Sequence, residues 1–406
     1  MKKILLITTG GTLSQTVDES GVTHSDGNSF KGDTFVKLLD HTKEKFGITT
    51  IDINDLINKE SSCINKKDWQ KIVNAIVEDY DNYDAFIITH GTNTLGYTAA
   101  AVSYAIGNLG KPVVFTGAQV SFSVPGSDTV INLENILRTL IEQPKLVGVF
   151  LVFGSKIITG TRIKKKTEFD YDAYKTFGRV PELGHIGNKI SFNHVAIETH
   201  LKHLGTKSKT RAGLDVKNNF DAKIASLTEF PGMSSDVIID LAKSNTKGFI
   251  LRATGAGDPN LLEAGHPDED LRPAFEYLQN HKIPIVITTQ APDGVASMNI
   301  NAPGPLAREL GAIPAFDMSM ETMVTKLSWL LANGHSYKDV QRLMTTSFRG
   351  EIDFVTYKHQ IRYTPPPSWQ QIIIFFRIFM ICYTNTPTIL SQVYRHANRQ
   401  LIKNSA

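Results

Sequence analysis

Ile4-Leu5-Leu6-Ile7-Thr8-Thr9-Gly10-Gly11-Thr12 decides the fold. Four consecutive apolar residues stop abruptly at two threonines, two glycines and a third threonine. The run is too short for a buried helix and reads as a central parallel strand, closed by a turn that suits glycine. Ligands of open α/β sheets bind at the carboxyl ends of the strands, so the Thr12 hydroxyl stands where chemistry is done in such folds.

The same pattern recurs downstream. Ala85-Phe86-Ile87-Ile88-Thr89 is a second buried-type strand and runs into His90-Gly91-Thr92-Asn93-Thr94. Pro112 to Thr116 predicts a third, closed by Gly117-Ala118-Gln119, and Leu146 to Phe153 a fourth, ending at Gly154. Helical spacing fills the gaps, over about Gly32 to Phe46, Asp68 to Tyr80 and Thr98 to Ile106, with a further strand near Ile48 to Ile53. Strands alternating with helices predict a parallel sheet with right-handed crossovers. Between the first two strands, residues 14 to 34 form a polar loop long enough to be functional.

At 406 residues the chain predicts two domains. The expected boundaries are an N-terminal domain over 1–201, a polar, basic linker over 202–219 and a C-terminal α/β domain over 220–354. In the last of these, strands are predicted over Gly248 to Arg252 and Pro284 to Thr289. Helices are predicted over Leu271 to Asn280, Met320 to Leu331 and Tyr337 to Thr345. Residues 355–406 differ in character: Thr364-Pro365-Pro366-Pro367 breaks regular structure, and the apolar run Ile372 to Tyr383 contains Arg377 and is too short to span a bilayer.

The formal charge of +3 belongs to this tail. No acidic residue follows Asp353, whereas Lys358, Arg362, Arg377, Arg395, Arg399 and Lys403 do. Without those six the remainder holds 37 basic against 40 acidic residues, which disfavours a nucleic-acid face. Cys63 and Cys382 have neither disulfide-framework nor metal-ligand spacing, so no metal or cofactor is expected and a reducing compartment is. Met1-Lys2-Lys3 before a four-residue apolar run lacks a leader's cleavage pattern; we read it as the first strand of a cytoplasmic protein.

Thr9-Gly10-Gly11-Thr12, Ser61-Ser62, His90-Gly91-Thr92-Asn93-Thr94 and Lys165 together resemble the L-asparaginase/glutaminase family, in particular its bacterial cytoplasmic (type I) branch. The resemblance covers roughly residues 1 to 354 and ends at Phe348-Arg349-Gly350-Glu351-Ile352. It implies a larger N-terminal and a smaller C-terminal α/β domain, a homodimer or homotetramer, and a small amino-acid amide as substrate. By resemblance Thr12 matches the nucleophile that forms an acyl-enzyme, Thr92 the second threonine of the proton relay and Lys165 the catalytic lysine. Ser61 and Ser62 match the segment that holds the substrate α-carboxylate, and Gly11, Gly91 and Ala118 fall at substrate-binding positions. Asn93 stands at a catalytic position that carries aspartate in the family.

These residue types suit the chemistry. A threonine hydroxyl needs a base placed against it, a lysine serves as that base only when its surroundings favour the neutral amine, and glycines let backbone N–H groups face an oxyanion. Four departures matter. Asn93 is uncharged, Val22 replaces the tyrosine that follows a glycine in the family's mobile loop, Thr129 follows Asp128 where glycine is usual, and Asp258 follows Gly257 in place of asparagine. Asn93 and Val22 predict reduced turnover, and Asp258 is a candidate for restoring the missing charge. Three functions stay open: an L-asparaginase, a binding or regulatory homologue with little turnover, and an amidase whose substrate lacks the free α-ammonium.

Overall fold

The computed structural model describes residues 3–11, 16–17, 23–24, 40–41, 43–261 and 269–354. Thr12, Val22 and the tail over 355–406 lie outside the described residues, as do most of the polar loop and the first part of the helix expected over 32–46.

Strand β1 (Lys3–Thr8) is buried on both faces after its first residue. Leu5 and Ile7 enter one apolar core, while Ile4 and Leu6 enter another on the opposite face of the sheet. That two-sided burial is why the sequence shows a continuous apolar run rather than alternation. In chain order the N-terminal domain continues with β2 (Thr50–Asp55), α1 (Lys66–Glu78), β3 (Ala85–Thr89) and α2 (Leu95–Ala105). After these come β4 (Pro112–Thr116), α3 (Thr129–Glu142), β5 (Gly148–Phe153) and β6 (Lys156–Thr159). A hairpin of β7 (Ile163–Lys165) and β8 (Tyr174–Thr176), a second of β9 (Gly184–Ile186) and β10 (Ile190–Phe192), and α4 (His194–His203) complete it. The main sheet has eight strands in the order β10-β9-β6-β5-β4-β3-β1-β2. From β2 to β5 the pairing is parallel, and β6, β9 and β10 extend it antiparallel.

Local caps explain where elements start. Gly47, at φ 64°, ends a helical turn with the Ile48 N–H on Lys43 O (3.0 Å) and its own N–H on Glu44 O (3.3 Å). This glycine cap absorbs Ile48, so β2 begins at Thr50 rather than at Ile48. Helix α1 starts at Lys66, two residues ahead of expectation, because Asn65 and Asp68 form a reciprocal capping box.

The smaller C-terminal domain holds a four-stranded parallel sheet of β11 (Ile224–Thr228), β12 (Gly248–Ala253), β13 (Ile285–Thr289) and β14 (Ile313–Pro314). Its helices include α5 (Ser235–Lys243), α6 (Arg272–Asn280), α7 (Met320–Ala332) and α8 (Tyr337–Met344). The polar stretch 202–219 runs along the N-terminal domain. Ser208 O accepts from Tyr80 Oη at 2.8 Å, and Asp215–Val216 pair with Ile106–Gly107.

The domains join where α7 packs on α2, with Tyr104 stacked on Trp329 at 5.7 Å between ring centroids. The segment after α8 completes the joint. Arg349 Nε donates to Ser103 O (2.8 Å), Arg162 Nε to Gly350 O (2.7 Å) and Thr161 Oγ1 to Arg349 O (2.9 Å). Beneath it lie two buried ion pairs, Arg162–Asp317 and Lys326–Glu351, each at 2.7 Å. Burial alone would raise the Glu351 carboxyl. The Lys326 ammonium and the N–H groups of Phe348 and Arg349 outweigh it and hold the carboxyl down at about 2.

Candidate active site

The last residues of β1, β3 and β4 (Thr8, Thr89 and Thr116) stand side by side in register, so three turns leave the sheet at one edge. The ladder extends past the strands: the Thr9 N–H reaches Thr89 O at 3.2 Å and the His90 N–H reaches Thr116 O at 2.9 Å. The turns then approach more closely than side chains allow. A Cβ on Gly11, whose φ is 81°, would lie 2.3 Å from the Gly91 Cα, and one on Gly91 would lie 2.7 Å from the Ser61 Cβ. Glycine at both positions is therefore a packing requirement of this edge.

Ser61 opens a short 3-10 turn over Ser61–Cys63 and is buried at 3% exposure, whereas Ser62 is exposed. Two bonds tie Ser61 to the turn after β3. Its Oγ accepts from the Asn93 N–H at 3.3 Å, and its carbonyl accepts from Thr94 Oγ1 at 2.5 Å. Thr94 precedes α2 but does not cap it with its side chain, because that hydroxyl is spent on Ser61. Ala118 is wholly buried in the turn after β4. There Asp128 accepts from the N–H groups of Gln119 (2.9 Å) and Val120 (3.0 Å).

Lys165 comes from outside the eight-stranded sheet. It ends β7, directly opposite Tyr174 of β8, and this hairpin reaches over the sheet edge. The Nζ donates to Thr92 Oγ1 at 2.7 Å, to Asn93 Oδ1 at 2.9 Å and to Glu168 Oε2. Tyr174 Oη donates to Thr92 O at 2.6 Å, so both ends of Thr92 are held by the hairpin. Burial pushes the Tyr174 phenol far above its ordinary range, with Glu168 and Glu321 adding to the effect, and it stays a donor. A hydroxyl that accepts from an ammonium keeps its own O–H to give to a ligand or water. Thr92 is placed for that.

Lys165 is flanked by residues that serve other ends. Lys164 pairs with Glu321 of α7 at 2.8 Å, and Arg162 is the buried partner of Asp317. The C-terminal domain thus grips the chain at two points just before its catalytic candidate. His90 is fully buried, its Nε2 bonded to Thr98 Oγ1 at 2.8 Å. Desolvation lowers its imidazole to about 4, against the opposing effect of the Gly91 carbonyl, so it is a neutral packing residue at ordinary pH.

The structure thus gathers Gly11, Ser61, Gly91, Thr92, Asn93 and Lys165, with Ala118 in the neighbouring turn. Thr12 is outside the described residues, and Ser62 is exposed beyond Ser61. Asn93 keeps a bond to the lysine but brings no countercharge. Asp258 makes no bond to Lys165: its Oδ2 accepts from Ala256 N–H (3.1 Å) and Asn301 Nδ2 (2.6 Å) within its own loop, and its Oδ1 is buried without a hydrogen-bond partner. Thr129 causes no distortion, contrary to the expectation of a glycine-requiring turn. It is the first residue of α3, with ordinary negative φ, and its hydroxyl accepts from Ser127 Oγ at 2.9 Å. Glu168 and Tyr174 were not among the expected site residues. Among the described residues no cluster of three His, Cys, Asp or Glu could hold a metal ion, and no helix is long and apolar enough to cross a membrane.

Comparison with known proteins gives the family. Residues 3–198 match the family model described as asparaginase, N-terminal, and residues 223–344 the glutaminase/asparaginase C-terminal domain. The L-asparaginase of Thermococcus kodakarensis is 30% identical over 357 residues, which cover 86% of this chain and 99% of that one. A glutamyl-tRNA(Gln) amidotransferase component of Pyrococcus abyssi is 28% identical over 359 residues, covering 87% of this chain and 77% of that one. Among solved structures, the thermostable L-asparaginase from Thermococcus kodakarensis superposes with a TM-score of 0.71 at 28% identity, covering 86% of this chain and 99% of that one. With the Thr-Gly-Gly and His-Gly-Thr turns meeting at one sheet edge and both domains matched in order, the chain belongs to the asparaginase family.

Proposed function

We propose that the protein is an L-asparaginase-type amidohydrolase, converting L-asparagine and water to L-aspartate and ammonia. The observation that carries this is the Lys165 ammonium on the Thr92 hydroxyl, beside the Gly11–Gly91 contact. In this reading Lys165 first gives a proton of the resting ammonium to solvent; the Thr12 oxygen then attacks the side-chain amide carbon, and its proton passes through Thr92 to the Lys165 amine. Backbone N–H groups around Gly11, Gly91 and Ala118 face the oxyanion. Collapse returns the proton from Lys165 to the amide nitrogen, which leaves as ammonia. Water then cleaves the Thr12 ester to give aspartate and restores the hydroxyl. Ser61 and Ser62 hold the substrate α-carboxylate.

Ammonia release from L-asparagine by the wild type, with Thr12→Ala as the blank, tests this directly. Turnover well above the blank is expected; equal rates would end the proposal. A second reading has one specific observation in its favour. The uncharged Asn93 suits a substrate without a free α-ammonium, and the likeness to amidotransferase components points to other amides. Turnover of N-blocked asparagine but not of asparagine would select it. A cytoplasmic homodimer or homotetramer belongs to the same proposal, and light scattering of the purified chain tests the assembly.

A further inference from the structure

The charge absent at Asn93 has a replacement three residues beyond Lys165. We propose that Glu168 is the counter-ion of Lys165, a positioning residue that holds the ammonium against Thr92 in place of the family's carboxylate. This rests on the asparaginase-type reading of the site. An ammonium has three N–H bonds, and Lys165 directs one to each of Thr92 Oγ1, Asn93 Oδ1 and Glu168 Oε2. Two of those acceptors are neutral. Glu168 is the only carboxylate paired with Lys165 among the described residues.

Glu321 pairs through Oε1 with Lys164, and Asp258 accepts through Oδ2 inside its own loop; the second oxygen of each is buried without a hydrogen-bond partner, and neither acid pairs with Lys165. The hairpin geometry brings Glu168 back onto Lys165. The Lys166 N–H closes on Ala173 O at 2.8 Å, and the Phe169 N–H on Thr167 Oγ1 at 3.1 Å, which turns the chain within the loop. Lys165 itself is only 13% exposed, so its partner is bound at the rim of the site while the Glu168 side chain stays 65% exposed. Exposure weakens such a pair, yet here one end is partly buried and fixed by two further bonds. A charge-assisted bond also orients as well as attracts.

The test combines Glu168→Gln with Asn93→Asp in the full-length chain. With Asn93 in place, Glu168→Gln should lower kcat about tenfold with little change in KM. In the Asn93→Asp background, where a carboxylate again meets the lysine, the same change should cost less than about twofold. Equal losses in both backgrounds, or no loss in either, would overturn the proposal. Trace acetylation with peptide mass spectrometry supplies a readout independent of turnover. Labelling of Lys165 relative to Lys164 should rise severalfold in Glu168→Gln, and an unchanged ratio would overturn the pairing. Should none of the four proteins release ammonia while that ratio rises, the asparaginase reading fails and the ion pair stands.

Discussion

The contact between Gly91 and Ser61 can be perturbed by a single methyl group. In Gly91→Ala the new Cβ would lie 2.7 Å from the Ser61 Cβ, 2.8 Å from its Oγ and 3.1 Å from the Gly11 Cα. Rotation of the serine brings no relief, because the nearest atom is its Cβ, fixed to the backbone. The 3-10 turn over Ser61–Cys63 must move instead, against the Asn93 N–H on Ser61 Oγ (3.3 Å) and the Thr94 hydroxyl on Ser61 O (2.5 Å). Such overpacking costs about 1–3 kcal/mol of stability. A shift of order 1 Å in groups that hold a substrate costs about 100-fold in rate. Because Ser61 is the proposed α-carboxylate holder, much of the loss should appear as a raised KM. Gly47→Ala is the control: nothing lies within 4 Å of its Cβ, while its φ of +64° imposes about 1–2 kcal/mol of left-handed strain. The two variants should therefore lose similar stability in urea titrations, and only Gly91→Ala should lose kcat/KM for ammonia release. Identical kinetics in the two would refute the idea that this contact positions the site.

Glu351→Ala removes a carboxylate that has 0% exposure and leaves Lys326 buried without a countercharge, together with the Phe348 and Arg349 N–H groups. We expect a loss of about 3–5 kcal/mol, read from the urea midpoint, whereas Lys326→Met combined with Glu351→Leu should recover most of it. A cost below about 1 kcal/mol would mean the segment after α8 does not dock as described. His90 and His200 give a pH dependence of defined sign. Burial holds each imidazole down at about 4, while the unfolded chain protonates near 6.5. Their stabilisation is present above that value and is lost as pH falls from about 6.5 toward 4, by about 2 kcal/mol each at about pH 5. His200→Gln should flatten the decline in the urea midpoint between neutral pH and about pH 5, and a midpoint already flat in the wild type would contradict the assignment.

What could be read from the sequence follows from where each residue type is constrained. The run Ile4 to Ile7 was legible because a central parallel strand must be apolar on both faces, and the structure divides those four residues between two cores. The turns after β1 and β3 were legible because close backbone approach admits only glycine, which leaves a mark in the sequence. Strands such as β9 and β10, of three residues each, show no periodicity, and nothing in their sequence separates them from loop. The start of β2 slipped for a related reason: Ile48 is apolar because it completes a helix cap, not because it lies in a strand. Lys165 could be placed near the sheet edge only through resemblance. In fact it arrives on a separate hairpin whose position depends on Arg162 and Lys164 pairing with Asp317 and Glu321, some 155 residues away.

Asn93 shows the limit most clearly. Read as a substitution, it removes a charge from a relay, and the sequence offers several acids that could compensate. Asp258 was the natural candidate because it, too, departs from the family pattern. Which acid faces Lys165 is set by how the chain turns between Lys165 and Tyr174, and a loop conformation has no period to read. Glu168 follows Lys165 at a spacing of three, which would mark a partner on a helix but carries no such meaning after a strand. Only the backbone turn, closed by the Lys166 N–H on Ala173 O, converts that spacing into a contact. A site can therefore lose a charge at one position and regain it from a loop neighbour, and inactivity inferred from Asn93 alone would count the loss without the replacement.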